Sequence, residues 1–211
     1  MVNPELENVK ILLKMKRQGI KERKRLEIIR TACRLFSEKG YYNTTMPDIA
    51  QAVGMSVGNL YNYFESKEEL AKEIMMTVSD WVGERLRKIN EMEVNMHEKV
   101  KGFVRSFFEI AIEEPELISY FLRVYLVNRE VFSDGCEGFA CVASVITEVM
   151  VFLSDGIEKG EFRNQSFYPA FTIIMGTLGG MVFLHKEGLL DKHLMDYIEE
   201  VSENIWRALR A

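Results

Sequence analysis

The chemistry this chain can do on another molecule is concentrated in one stretch, Lys39 to Leu70, KGYYNTTMPDIAQAVGMSVGNLYNYFESKEEL. Ser56 fits the cap of a short helix whose Leu60 and Phe64 fall on one face at i, i+4. That leaves Val57, Gly58, Asn59, Tyr61, Asn62 and Tyr63 around its start and its outward faces. From these positions a recognition helix presents groups to a major groove. Two tyrosines beside a glycine make an odd solvent face unless something covers it. Bond-breaking chemistry finds no comparable set: His97, His185 and His193 are scattered, and no HExxH, P-loop, GxGxxG or GxSxG occurs. No catalytic residue, metal ligand or cofactor site is expected, and the chain does not read as an enzyme.

These groups need a scaffold, and the flanking residues predict one. Thr45-Met46-Pro47-Asp48 fits a capping box, with Thr45 as N-cap and Asp48 answering three residues on. Pro47 lies in the first turn, where a missing N–H costs little. Ile49, Ala50 and Val53 form one apolar face; Ala50 is small where another helix must come close, and Gly54 can supply the positive φ of a sharp turn. Ser66-Lys67-Glu68-Glu69 is a further capping box and puts Lys67 in the first turn of the next helix. Each signal is weak alone. In register over one short segment, they describe two helices, a tight turn and a capped third helix.

Here the chain resembles the TetR (tetracycline-repressor) family of bacterial transcription regulators. The matching residues run from Arg30-Thr31-Ala32-Cys33-Arg34-Leu35-Phe36 through Glu38-Lys39-Gly40-Tyr41, Thr44-Thr45-Met46, Asp48-Ile49-Ala50, Gly54-Met55-Ser56, Gly58-Asn59-Leu60-Tyr61 and Tyr63-Phe64 to Ser66-Lys67-Glu68. The resemblance covers residues 22–72 and implies a sequence-specific regulator, a repressor released from a palindromic operator by a small apolar or amphipathic effector. On that basis Thr45, Tyr61, Tyr63 and Lys67 are expected to hold phosphates, while Pro47, Val57, Gly58 and Asn59 meet base edges, with Ser56 and Asn62 beside them. Asn59 suits a directed bond to adenine. Many family members carry a polar or basic side chain where this chain has Val57, which fits a thymine methyl instead.

Charge agrees once it is divided along the chain. Residues 1–72 carry 13 Lys/Arg against 9 Asp/Glu, and residues 73–211 carry 14 against 23, so +4 and −9 sum to the net −5. A basic end can neutralise phosphates while an acidic body limits indiscriminate binding. The first residues, with Val9, Leu12, Leu13 and Lys16 on one stripe beside Lys10, Lys14 and Arg17, fit a basic arm on DNA, a packed extra helix or a frayed end. MVNPELENVK lacks a signal-peptide core, and no apolar run is expected to reach a membrane span. Cys33, Cys136 and Cys141 form no CxxC pair or disulfide framework, which suits a reducing cytosol. Cys136 or Cys141 as a thiol sensor is weighed against small buried hydrophobes.

Beyond Lys67 the apolar spacing predicts helices in succession: Leu70 to about Met92, Val100 to Ala111 stopped before Pro115, Leu117 to Tyr125, Phe139 to about Lys159, Phe167 to His185, and a last stripe from Leu194 to Leu209. Gly176, Gly179 and Gly180 interrupt an apolar helix, and close approach of another helix is one compensation, from the same chain or from a second copy. The family resemblance implies the second copy, with Gly176, Gly179, Gly180, Phe183, Tyr197, Val201 and Ile205 in a homodimer interface. Phe103, Phe107, Tyr120, Phe121, Tyr125, Phe139, Val142, Ile146, Phe171 and Met175 could line an effector pocket or be plain core. The expected fold is all-α, with about nine helices or more. A basic N-terminal extension covers 1–21, a three-helix helix-turn-helix domain 22–66, and a helical effector-binding and dimerisation domain 67–211. Two other readings stay open: a ligand-independent architectural or cell-division factor on this fold, and an enzyme or carrier that keeps the reader as a relic.

Overall fold

The structure is a computed structural model that describes residues 19–125, 129–132 and 140–211, without the side chains of residues 20, 123, 125 and 129. Most of the expected extension over 1–21, Cys136, Phe139 and the Tyr125 side chain lie outside the described residues. Nine α-helices occur among them, with one isolated bridge, Phe162 to Arg210, and no strand. The chain divides into two compact units, one taking residues up to Met75 together with Ser119–Asp134, the other Met76–Ile118 and Gly135–Ala211.

In the first unit, α1 (Ile20–Lys39) ends at Gly40, whose φ of 85° lies where other residues are strained. Its inward face buries Ile28, Ile29, Ala32, Cys33, Leu35 and Phe36. Against it lies α2 (Met46–Val53), on which α3 (Val57–Tyr61) packs, and Arg25 pairs with Glu73 in the first turns of α4 (Lys67–Asn90). This unit runs past Ser66 as far as Met75, and a later segment joins it. α6 (Pro115–Tyr120), of which Ser119 and Tyr120 belong to this unit, passes into a π-helix, Phe121–Tyr125, and a 3-10 turn follows at Arg129–Phe132. Tyr120 is fully buried, its ring 6.2 Å from Phe36 and its hydroxyl donating to the Ala71 carbonyl at 2.7 Å. A buried tyrosine with its hydroxyl satisfied is a strong anchor. Nothing in the sequence spacing near 120 announces that partner.

In the second unit, α5 (Met96–Glu113) starts at Asn95, whose side chain accepts from the Glu98 amide at 2.9 Å. It lies against α9 (Ile198–Leu209) and α8 (Phe167–Lys186), with α7 (Ala143–Glu158) beside α8. Phe103 stacks on Phe152 at 4.4 Å, and a Cβ on Gly156 would overlap the Phe162 ring. Among the described residues one charge is buried here: the Lys99 ammonium bonds Asp155 at 3.0 Å and the Asn90 carbonyl at 2.6 Å, tying α5 to α7 and to the end of α4. Burial works against the Asp155 carboxylate, yet Lys159 and Lys99 together hold it below the usual carboxylate range.

Two sequence expectations fail in this unit. Ala140–Glu158 and Phe167–Lys186 are long and apolar enough, by length and composition, to cross a membrane, with mean hydropathy of 1.7 and 1.6. Threonine and glycine dilute the second run without charging it, so the first charged side chain after Phe167 is Lys186. And Cys141 is disulfide-bonded rather than a lone thiol, whereas Cys33 is a buried thiol outside any disulfide.

Candidate functional site

The α2–α3 pair is built from its caps. The Thr45 hydroxyl donates to the Asp48 carboxylate at 2.6 Å and accepts from the Asp48 amide at 3.3 Å, while the Thr45 amide donates back to Asp48 at 2.8 Å. The Thr45 side chain and then its amide hold the Asp48 carboxyl below its ordinary value. α2 stops at Gly54 with φ 73°, and Ser56 accepts from the Asn59 amide at 3.2 Å to start α3. Leu60 and Phe64 are fully buried and pull the inner side of this segment into the unit. Outside are Thr45, Pro47, Ser56, Gly58, Asn59, Tyr61 and Asn62, all exposed, with Val57, Tyr63 and Lys67 half-buried.

Each of these side chains lies at or near the surface, but not all are free to bond a phosphate. The Thr45 hydroxyl has its hydrogen committed to Asp48. The Lys67 ammonium donates to the Tyr41 and Thr44 carbonyls, each at 3.0 Å. Tyr61 keeps nearly half of its surface exposed, at 48%. The sequence assigns Lys24 and Arg25 of α1 no role beyond net charge, and the structure gives both defined partners. Arg25 donates to the Tyr63 carbonyl at 2.6 Å, pairs with Glu73 at 3.3 Å and lies 4.2 Å over the Phe64 ring. Lys24 reaches the Val53 carbonyl at the end of α2 at 3.3 Å.

Beside Lys67 is an open cleft of about 580 Å³ between Tyr42, Glu68, Lys72 and Glu130. Its carboxylates already have work: Glu69 accepts from the Glu65 amide at 2.5 Å, and Glu130 accepts from the Tyr42 hydroxyl at 2.6 Å. That last bond raises the Tyr42 pKa and lowers that of Glu130. The Tyr41 hydroxyl is pushed up by burial first and then by Glu68.

The ten residues expected around an effector are divided between the units. Tyr120 and Phe121 belong to the first, and Tyr120 is satisfied core there. Phe103, Phe107, Val142, Ile146, Phe171 and Met175 belong to the second. Phe103, Val142 and Ile146 are buried, and Phe107, Phe171 and Met175 half-buried. The hollow bounded by Phe103, Phe152, Ile174, Leu178 and Ile205 has no room for water, and another beside Phe162 and Phe167 holds about 120 Å³. Ligand pockets usually run to about 300–1,000 Å³.

The expected dimer residues also divide. Val201 and Ile205, 4% and 2% exposed, are buried on the inner face of α9, in the helix pair with α5, where a second chain cannot reach them without unpacking this one. Their burial is met within one chain, and an amphipathic stripe records burial without recording the partner. Tyr197 is half-buried, and its hydroxyl bonds Asp191. On α8 the result is opposite. Phe183 is 54% exposed, and a Cβ on Gly179 or Gly180 would meet nothing within 4 Å, while one on Gly176 would meet only Thr172 of the same helix. Among the described residues, no close approach accounts for these glycines.

Residues 28–74 match the model of the bacterial regulatory proteins of the tetR family. The HTH-type transcriptional repressor KstR2 of Mycobacterium tuberculosis is 35% identical over 142 residues, which cover 66% of this chain and 70% of that protein. The chain belongs to the TetR family. It is a DNA-binding transcriptional regulator of that family, and its relatives are regulators rather than enzymes. The fold agrees over most of the length. FadR of Bacillus subtilis, solved in complex with stearoyl-CoA, matches with a TM-score of 0.74 at 21% identity, over 85% of this chain and 96% of that one. The nucleoid occlusion factor SlmA of Haemophilus ducreyi is 32% identical over 108 residues, 49% of this chain and 52% of its own.

Proposed function

We propose that this TetR-family regulator is a homodimeric repressor that reads a palindromic operator and releases it when an amphipathic effector binds. The observation that carries the reading is α8: a long apolar helix, only 22% buried over its most apolar stretch, with bare glycines and Phe183 facing out. A helix apolar on all sides has to be covered by lipid or by other protein. For a regulator that must find DNA, a second copy fits, through α8 with Gly176, Gly179, Gly180 and Phe183 rather than through Val201 and Ile205. Two readers related by a two-fold axis then meet half-sites about 34–36 Å apart.

In each reader, residues 22–66, Tyr61 and Tyr63 hold phosphates, and Pro47, Val57, Gly58 and Asn59 meet base edges, with Asn59 as the directed contact. Residues 67–211 carry the effector site and the dimer contact. KstR2 of Mycobacterium tuberculosis is a ketosteroid transcriptional regulator, and FadR holds stearoyl-CoA, so an acyl or steroid body with a polar head is the effector class to test first. Such a ligand has to bind the released state more tightly, and a coupling of about 1–3 kcal/mol changes operator affinity about 5–150-fold. α4, which contributes residues to both units, is the connection through which it acts.

The test is fluorescence anisotropy on operator DNA with stearoyl-CoA titrated in, alongside sedimentation of the free protein. A dimer that loses operator affinity at least about fivefold supports the reading. A monomer, or a dimer indifferent to such ligands, would sink it. A second reading, a ligand-independent DNA-binding factor, is favoured by the likeness to SlmA. Operator binding indifferent to every acyl-CoA and steroid tried would select it.

A further inference from the structure

Lys67, the first residue of α4, does not present an unencumbered ammonium. Two of its three N–H groups are spent on the carbonyls of Tyr41 and Thr44, at 3.0 Å each, and the nitrogen lies 4.2 Å from the centre of the Tyr41 ring. What it grips is itself fixed. The Thr44 amide donates to the Tyr41 carbonyl at 3.3 Å, its hydroxyl donates to the Gly40 carbonyl at 2.9 Å, and its side chain is fully buried. The next residue is Thr45, the cap from which α2 starts. The ammonium therefore fastens the beginning of α2 to the beginning of α4.

The far end of the same pair is fastened in the same way. Arg25 holds the Tyr63 carbonyl at 2.6 Å and covers the Phe64 ring at 4.2 Å, just past the end of α3. A cation over a ring that also bonds carbonyls is satisfied twice, by the ring quadrupole and by charge-assisted hydrogen bonds. A phosphate contact makes the opposite demand, for N–H groups directed outward from the surface.

We infer that Lys67 is a positioning residue for DNA reading: it sets the α2–α3 pair against the first turn of α4, and so acts on discrimination between sites rather than by neutralising a phosphate. This rests on the proposed DNA-reading function. Contacts to phosphate carry no sequence information, so losing one weakens all duplexes alike and flattens the salt dependence. Losing a positioning contact moves the groups that meet base edges, and the loss falls on the preferred site.

The test compares wild type with Lys67→Met, which keeps the stem without its donors, and Lys67→Gln, which keeps a neutral donor. Affinities for the operator and for a random-sequence duplex are measured between about 50 and 200 mM salt. Circular dichroism checks that each variant is folded. Lys67→Met is expected to lose about tenfold on the operator and less than about twofold on the random duplex, with an unchanged salt slope, and Lys67→Gln to recover part of the loss. Equal losses on both duplexes with the slope reduced by about 0.9 would overturn the inference, as would no loss on either. If Lys67→Met does not fold, the slope and the operator preference of Lys67→Gln decide alone. A wild-type protein that prefers no duplex would sink the DNA-reading function and the inference together, whereas failure of the inference alone leaves the wild-type preference standing.

Discussion

Around α2 and α3 the exposed groups are hydroxyls, side-chain amides, proline and glycine backbone, held by the Thr45–Asp48 capping box and the Ser56 cap. Along α8 they are Tyr168, Phe183 and Leu184 beside uncovered glycines. The first surface costs little to leave in water and is shaped to exchange water for phosphate and base edges. The second is costly in water and gains by being covered with something equally apolar. α9 sharpens the contrast, since it shows the same kind of stripe already covered: Val201, Ile205 and Leu209 are buried in its packing with α5 and α8. One set of apolar residues finishes the fold of a chain, and the other leaves it unfinished.

The largest effect should separate those two stripes. Val201→Asp puts an unpaired charge into a site 4% exposed and should cost about 4 kcal/mol or more, enough to lose the cooperative melt. Phe183→Asp, at a site 54% exposed, should keep full helical content by circular dichroism yet sediment as a monomer and lose most of its operator affinity. If both variants unfold, or both stay dimeric, the distinction between α8 and α9 is wrong. Next, Phe36→Ala removes the ring beside Tyr41 and Tyr120 and should cost about 3–5 kcal/mol in urea unfolding. Asn59→Ala should cost about 1–3 kcal/mol on the preferred operator and little on others, read by competition binding. Equal loss on every sequence would remove Asn59 from the readout.

The smallest effect tests the cap. Thr45→Ala should destabilise the first unit by about 1 kcal/mol near neutral pH. The bonds from Thr45 lower the Asp48 pKa, so the stabilisation is fully present above the unfolded value of about 3.9 and is lost as pH falls through the lower folded value. The melting difference between wild type and Thr45→Ala should therefore shrink on acidification below about pH 4. A difference that grows there would contradict the cap geometry.

Much of this was legible in the residues. Thr45, Gly54 and Ser56 announce the α2–α3 pair because capping and left-handed turns are local, set by residues three or four apart. The helix bounds after Lys67 follow the apolar spacing for the same reason, with Pro115 and Gly160 as punctuation. What was not legible is pairing at long range. Tyr120 on the Ala71 carbonyl, Glu130 on Tyr42 and Arg25 on Tyr63 join residues whose spacing carries no signal. Lys67 is the instructive case: its sequence position fits a phosphate contact, yet its ammonium is turned to two carbonyls of its own chain. α9 carries a one-sided apolar stripe and α8 is apolar nearly all round, and in neither does the sequence say what covers it.

The measurement closest to the central claim is selection of bound sites from a random duplex pool by the purified protein at about 100 mM salt, where non-specific binding is restrained. Two capped readers presented by one dimer predict enrichment of a palindrome whose half-sites lie about one helical turn, or a whole number of turns, apart. Enrichment of a lone half-site, or of no sequence at all, would contradict a dimeric reader assembled through α8.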